Sequence, residues 1–133
     1  MRGKILVVDD ELHIRELFAD TLGAAGYDVV LAENADQALE VLKEENIDVV
    51  FLDLRLFGMN GIELCRQIRR TNQVSIINAM TGWGALFEIA ECREAGFDDY
   101  FTKPINPELL ARTVEEAFEK IQRWQGRYKN LRK

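Results

Sequence analysis

Short apolar runs alternate with longer amphipathic segments along this chain. Residues 5–8, 29–31, 49–52 and 76–77 are compact and rich in β-branched side chains, as strands covered on both faces are. A segment of helical period follows each. Ile14, Leu17, Phe18 and Leu22 share one face of the first helix, Ala35, Ala38, Leu39 and Leu42 of the second, and Leu64, Cys65 and Ile68 of the third. A weaker unit with Leu86, Ile89, Ala90 and Arg93 leads to a fifth strand at Asp99–Thr102, and the last helix carries Leu110, Val114, Ala117, Phe118 and Ile121. Gly23, Gly26 and Gly96 fall near helix ends, while Asn34 and Asn106 read as N-caps, the latter before Pro107. Apolar strands joined by helical crossovers predict a parallel sheet with helices on both faces, a doubly wound α/β fold. A chain of 133 residues with no linker or low-complexity tract predicts one domain.

Charge changes the picture in one respect. The 17 basic and 23 acidic residues give −6, but residues 120–133 hold six basic side chains and no acid, leaving −12 on the rest. A body that acidic repels phosphate backbones, so nucleic acid is not its expected ligand; a cation is. The tail of Lys120, Arg123, Arg127, Lys129, Arg132 and Lys133 reads as a basic extension of the last helix, the start of a linker to an output domain, or a contact for an acidic partner. Cys65 and Cys92 have no metal or redox spacing and read as reduced, buried thiols. With no signal peptide and no membrane-length apolar run, the expected location is cytoplasmic.

Ligands of open α/β sheets sit beyond the carboxyl ends of the strands. Here the first strand ends in Asp9-Asp10-Glu11, the third in Asp53, the fourth in Thr81-Gly82 and the fifth in Lys103-Pro104. Clustered carboxylates repel unless a cation sits among them, and oxygen ligands without His or Cys favour a hard ion such as Mg²⁺. A lysine beside them neutralises a carboxylate or binds phosphoryl oxygens. Carboxylate, hydroxyl, lysine and metal together form a phosphoryl-transfer arrangement with the carboxylate as nucleophile. Singly, each residue has a plainer reading: the acids as partners of a helix start, Asp53 and Thr81 as caps, Lys103 as a solvated lysine. Their convergence argues for a site. His13 reads as an exposed helix residue, not a phosphocarrier.

The order Val-Val-Asp-Asp-Glu, Phe-Leu-Asp-Leu, Met-Thr-Gly and Asp-Asp-Tyr-Phe-Thr-Lys-Pro resembles the receiver domain of two-component response regulators, including the chemotaxis regulators, over residues 4–122. The resemblance implies a flavodoxin-like sheet of strand order 2-1-3-4-5 and a receiver domain in residues 1–122, with 123–133 as the basic extension. It implies Asp53 as phosphoacceptor; Asp10, Asp53 and the backbone carbonyl of Arg55 as direct Mg²⁺ ligands; and Asp9 acting on the metal mainly through water. Thr81 corresponds to the switch hydroxyl, Lys103 to the phosphoryl-binding lysine and Tyr100 to the switch aromatic, and the Lys103–Pro104 bond is expected to be cis. A sensor histidine kinase or phosphotransfer protein would supply the phosphoryl group. A target protein or separate output domain would read the remodelled surface of the fourth helix, fifth strand and fifth helix.

By that resemblance the domain is a switch that assists its own phosphorylation and hydrolysis, not an enzyme acting on other substrates. Two departures stand out. Leu56-Phe57-Gly58-Met59-Asn60-Gly61 lacks the family's usual proline, predicting a less rigid loop, and Asn78 is polar inside an apolar strand. Trp83 and Phe87 follow the switch threonine and are candidates to face a partner. A flavin carrier of the same fold is disfavoured by three acids where a phosphate-binding loop would lie. A pseudo-receiver would lack an acid or the lysine, and a phosphatase with an aspartyl nucleophile would want Asp-x-Asp after the first strand.

Overall fold

A computed structural model describes residues 2–82 and 86–132. Five parallel strands, β1 (Lys4–Val8), β2 (Asp28–Ala32), β3 (Val49–Asp53), β4 (Ile76–Thr81) and β5 (Asp99–Thr102), lie in the order β2-β1-β3-β4-β5. The connecting helices are α1 (Leu12–Ala24), α2 (Ala35–Glu44), α3 (Gly61–Thr71), α4 (Leu86–Ala95) and α5 (Pro107–Arg132). Strand alternation divides the core. Ile5, Val7, Val49, Phe51, Ile76 and Met80 pack with α1 and α5, whereas Leu6, Val8, Val50, Leu52, Ile77 and Ala79 pack with α2, α3 and α4. Full burial of a side chain of this size contributes roughly 1.5–3 kcal/mol, which is why the three central strands tolerate almost no exposure.

Aromatic contacts fasten the α1/α5 side. Phe18 meets Phe51 edge to face at 5.0 Å, and Tyr27 stacks on Phe118 at 5.2 Å beneath the Arg2 guanidinium. Asn34 accepts from the Gln37 N–H and Asn106 from the Glu108 and Leu109 N–H groups, as their N-cap reading expects. The expected face of α1 narrows to Ile14, Phe18 and Leu22, with Leu17 only half-buried.

β4 runs from Ile76 through Asn78 to Thr81, the end expected for it, and Phe51 on one side and Asp99 on the other flank Asn78. One sequence reading is corrected: the face expected for α4 is displaced. Ile89, Ala90 and Arg93 are exposed, and Cys92 and Ala95 are the buried positions. Apolar residues are spread around this helix, so their spacing selects no side and packing against α3 decides it.

α5 passes residue 122 as one continuous helix. No helix among the described residues is long and apolar enough to cross a membrane. All four loops that carry the predicted chemistry leave the same edge of the sheet.

Candidate functional site

Asp9 directly follows β1 and still belongs to its ladder, donating its N–H to the Ala32 carbonyl at 3.1 Å. Asp53 closes β3, and the Leu54 N–H bonds the Met80 carbonyl at 2.9 Å. Lys103 follows β5, with its N–H 2.7 Å from the Thr81 carbonyl and a cis peptide to Pro104. Parallel pairing of β1, β3, β4 and β5 thus brings these residues to one place. Carboxylate oxygens of Asp9, Asp10 and Asp53 lie within 4.8 Å of one another, Asp9 and Asp53 buried and Asp10 exposed.

Lys103 enters this cluster. Its Nζ stands 2.8 Å from Asp9 Oδ2, 3.2 Å from Asp53 Oδ2 and 3.9 Å from Glu11 Oε1. Two backbone donors meet the opposite oxygens: the Glu11 N–H reaches Asp9 Oδ1 at 2.9 Å, and the Arg55 N–H reaches Asp53 Oδ1 at 3.1 Å. Burial raises the Asp9 pKa above its ordinary value, although the Lys103 ammonium opposes that shift. Lys103 is also raised: burial acts to lower it, but the Asp9 and Asp53 carboxylates prevail.

The chemistry of the set suits a divalent cation. Three carboxylates sharing one ammonium retain unbalanced negative charge. Asp9 Oδ2 is buried, and Lys103 approaches it off the direction of a good hydrogen bond, so its acceptor capacity is not fully met. All the side-chain donors are hard oxygens. Asp10 also lines a cleft of about 500 Å³ with Arg55, Phe57 and Glu88, giving the cluster access from solvent.

The loop after Asp53 closes without the proline. Gly58 takes a positive φ of 93°, the Gly61 N–H returns to the Leu54 carbonyl at 2.9 Å, and Asn60 caps α3 by accepting from the Glu63 N–H at 2.8 Å. Phe57, in the middle, is 91% exposed. Gly61 touches the backbone at the end of β3, where a Cβ would collide with the Asp53 carbonyl oxygen and the Leu54 Cα.

Thr81 is fully buried at the end of β4, and the Tyr100 phenol oxygen is buried near it, with Glu88 and Cys92 close by. Burial and the Glu88 carboxylate raise the Tyr100 pKa. Tyr100 and Phe101 are both half-buried, on opposite faces of the sheet. Burial pushes both Cys65 and Cys92 thiols up to about 11, so they remain protonated and inert. His13 is exposed and pairs with Glu11 at 3.2 Å. Trp83 lies outside the described residues, as does the Phe87 side chain.

Sequence reasoning missed three residues around the cluster. Arg15 donates from Nη1 to the Asp9 carbonyl at 2.8 Å, Glu88 pairs with Arg55 at 3.8 Å, and Gly61 permits the contact with β3. None has a spacing signal, because each acts across the fold on another segment's backbone or charge.

A five-stranded sheet of this order with acids, hydroxyl and lysine at its carboxyl edge is that of a signalling receiver. The chain belongs to the response regulator receiver domain family, which it matches over residues 5–115. It is 44% identical over 112 residues to the transcriptional regulatory protein ResD of Bacillus subtilis, covering 84% of this chain and 46% of that protein. Against the transcriptional regulatory protein AruR of Pseudomonas aeruginosa the identity is 38% over 131 residues, 95% of this chain and 53% of that one. The chain therefore spans about half the length of these curated relatives. A CheY-like receiver domain protein from Methanospirillum hungatei JF-1 superposes with a TM-score of 0.88 at 27% identity, covering 91% of this chain and 97% of that one. Membership places the chain in phosphorylation-dependent two-component signalling.

Proposed function

We propose that this receiver is phosphorylated on Asp53 by a sensor histidine kinase or phosphotransfer protein and passes the change to a target protein or output domain. The observation that carries the reading is the meeting of Asp9, Asp10 and Asp53 within 4.8 Å, with Lys103 Nζ 3.2 Å from Asp53. Mg²⁺ would be held by Asp10, Asp53 and the Arg55 carbonyl, with Asp9 acting mainly through water, and when bound supplies positive charge beside the transferring phosphoryl group.

The chain's own groups do the rest. An Asp53 carboxylate oxygen attacks phosphorus, the phosphorus–nitrogen bond of the donor breaks, and its electron pair returns to the imidazole. Lys103 leaves its ion pair with Asp53 to balance charge on the phosphoryl oxygens. The Thr81 hydroxyl turns toward the acyl phosphate, which alters the space around Tyr100 and biases the surface of α4, β5 and α5 between two states. Tyr100 begins this change already inward, so its contact with Thr81 and Glu88 is what the switch adjusts. The domain is a phosphoacceptor rather than an enzyme with a separate substrate, its location is cytoplasmic, and residues 123–133 form an extension beyond the receiver in residues 1–122.

Intact-mass measurement after incubation with Mg²⁺ and acetyl phosphate tests the reading. One added phosphoryl group in the wild type and none in Asp53→Asn is expected. A modified Asp53→Asn protein, or an unmodified wild type, overturns it.

A further inference from the structure

Asp10 differs from its two companions in how it is held. Asp9 is fixed by the Glu11 N–H and Lys103, and Asp53 by the Arg55 N–H and Lys103. No hydrogen bond or ion pair among the described residues holds the Asp10 carboxylate, which is exposed. Its place in the cluster is therefore set by its backbone, and that backbone begins at the Asp9–Asp10 peptide.

One side chain grips this peptide. Arg15, on the first turn of α1, donates from Nη1 to the Asp9 carbonyl oxygen at 2.8 Å while its Nη2 stands 3.6 Å from Glu33 Oε2. The Arg15 side chain is only 13% exposed, so the guanidinium has little freedom to reach another partner. Because a peptide is planar, fixing the Asp9 carbonyl also fixes the direction of the Asp10 N–H and the position of its Cα. A charged donor makes that restraint stronger than a neutral one. Glu33 follows β2, the edge strand beside β1, so the clamp ties the acidic loop to a second, independently anchored loop.

We infer that Arg15 is a positioning residue for the metal site: through the Asp9 carbonyl it holds Asp10 where a divalent cation meets Asp53, and Glu33 holds Arg15. This rests on the Mg²⁺ site proposed above. Outer residues that orient metal ligands commonly contribute about ten- to hundredfold to affinity, and the lower end is expected here because one of several ligands is affected. The chemistry at Asp53 is untouched once metal is bound, so the effect falls on affinity and not on the rate at saturation.

The experiment measures Mg²⁺ dissociation constants by calorimetry, and separately the rate of phosphorylation by acetyl phosphate at saturating Mg²⁺. Wild type, Arg15→Ala, Arg15→Lys and Glu33→Gln are compared, with melting temperatures in EDTA. Arg15→Ala should bind Mg²⁺ about tenfold more weakly and keep its saturated rate within about threefold. Arg15→Lys should recover part of the loss through one remaining donor, and Glu33→Gln should show a smaller loss in the same direction. Unchanged Mg²⁺ affinity in a folded Arg15→Ala protein overturns the inference and leaves the site itself standing. So does a fall in saturated rate without a fall in affinity. If Arg15→Ala does not fold, the inference is decided by Arg15→Lys and Glu33→Gln, and wild-type affinity in both overturns it. Failure of the wild type to bind Mg²⁺ overturns the underlying reading instead.

Discussion

At the scale of single residues, Lys103 is the counter-ion that makes the carboxylate cluster tolerable. Its side chain is 13% exposed, and it neutralises two carboxylates that are buried more deeply still. Removing one partner of a buried ion pair leaves an uncompensated charge, so Lys103→Ala should lose about 3 kcal/mol of stability in EDTA at neutral pH. The pH dependence has a definite sign. Lys103 is raised above its ordinary value of 10.5, so its contribution is present below that pH and is lost as pH rises through the folded value. Asp9 is also raised, so its protonated form is favoured in the fold, and the carboxyl needs no cation once pH falls through its range. Thermal melts of wild type and Lys103→Ala should therefore converge as pH falls toward 4. A deficit that stays constant with pH would show that Lys103 acts by packing alone. These roles were legible because Asp9, Asp53 and Lys103 each end a strand, and parallel strands deliver their ends to one edge. The inward Tyr100 was not legible, since a phenol at that position can point either way and only the packing near Thr81 and Glu88 chooses.

At the scale of elements, the start of α3 matters more than its amphipathic face. That face was plain in the sequence, and Leu64, Cys65 and Ile68 are buried as expected. What the pattern did not reveal is how closely α3 approaches β3. Gly61 has an ordinary negative φ, so its requirement is space rather than backbone freedom. A Cβ there would stand 2.7 Å from Leu52 Cδ2 and 2.8 Å from Leu54 Cα, and would also collide with the Asp53 carbonyl oxygen. The neighbours are mostly backbone and cannot yield without moving Asp53. Gly61→Ala should destabilise the protein by about 2–3 kcal/mol, and slow phosphorylation by acetyl phosphate even at saturating Mg²⁺. Gly58→Ala introduces its strain through a positive φ with no atom within 4 Å, so it should affect stability while leaving the rate near wild type. Equal phosphorylation rates in wild type and Gly61→Ala would separate the helix start from the site. Asn78 belongs at this scale too. It lies on the α5 side of β4, with its amide nitrogen unbonded among the described residues, and lines a cavity of about 140 Å³ with Thr113, Glu116 and Lys120.

At the scale of the whole molecule, stability and signalling compete for the same carboxylates. The chain carries −6 overall, and the described acids at the sheet edge add repulsion that folding must overcome. Asp10 contributes to that repulsion and, being exposed without a hydrogen bond or ion pair among the described residues, returns little to the fold. Asp10→Ala should therefore melt at a slightly higher temperature than wild type in EDTA. Added Mg²⁺ should reverse the order. A cation that binds the folded state stabilises it by RT ln(1 + [Mg²⁺]/Kd), about 1.4 kcal/mol at ten times Kd, or ~4 °C for a domain of this size. Wild type should show that rise, while Asp10→Ala, with at least tenfold weaker binding, should show at most about 0.4 kcal/mol at the same concentration. The two melting curves would then cross as Mg²⁺ increases, whereas a general ionic effect would raise both alike and be matched by an equal ionic strength of NaCl. A destabilised Asp10→Ala in EDTA would mean that Asp10 supports the fold through its loop. Parallel shifts in both proteins with Mg²⁺ would mean that the cation does not depend on Asp10.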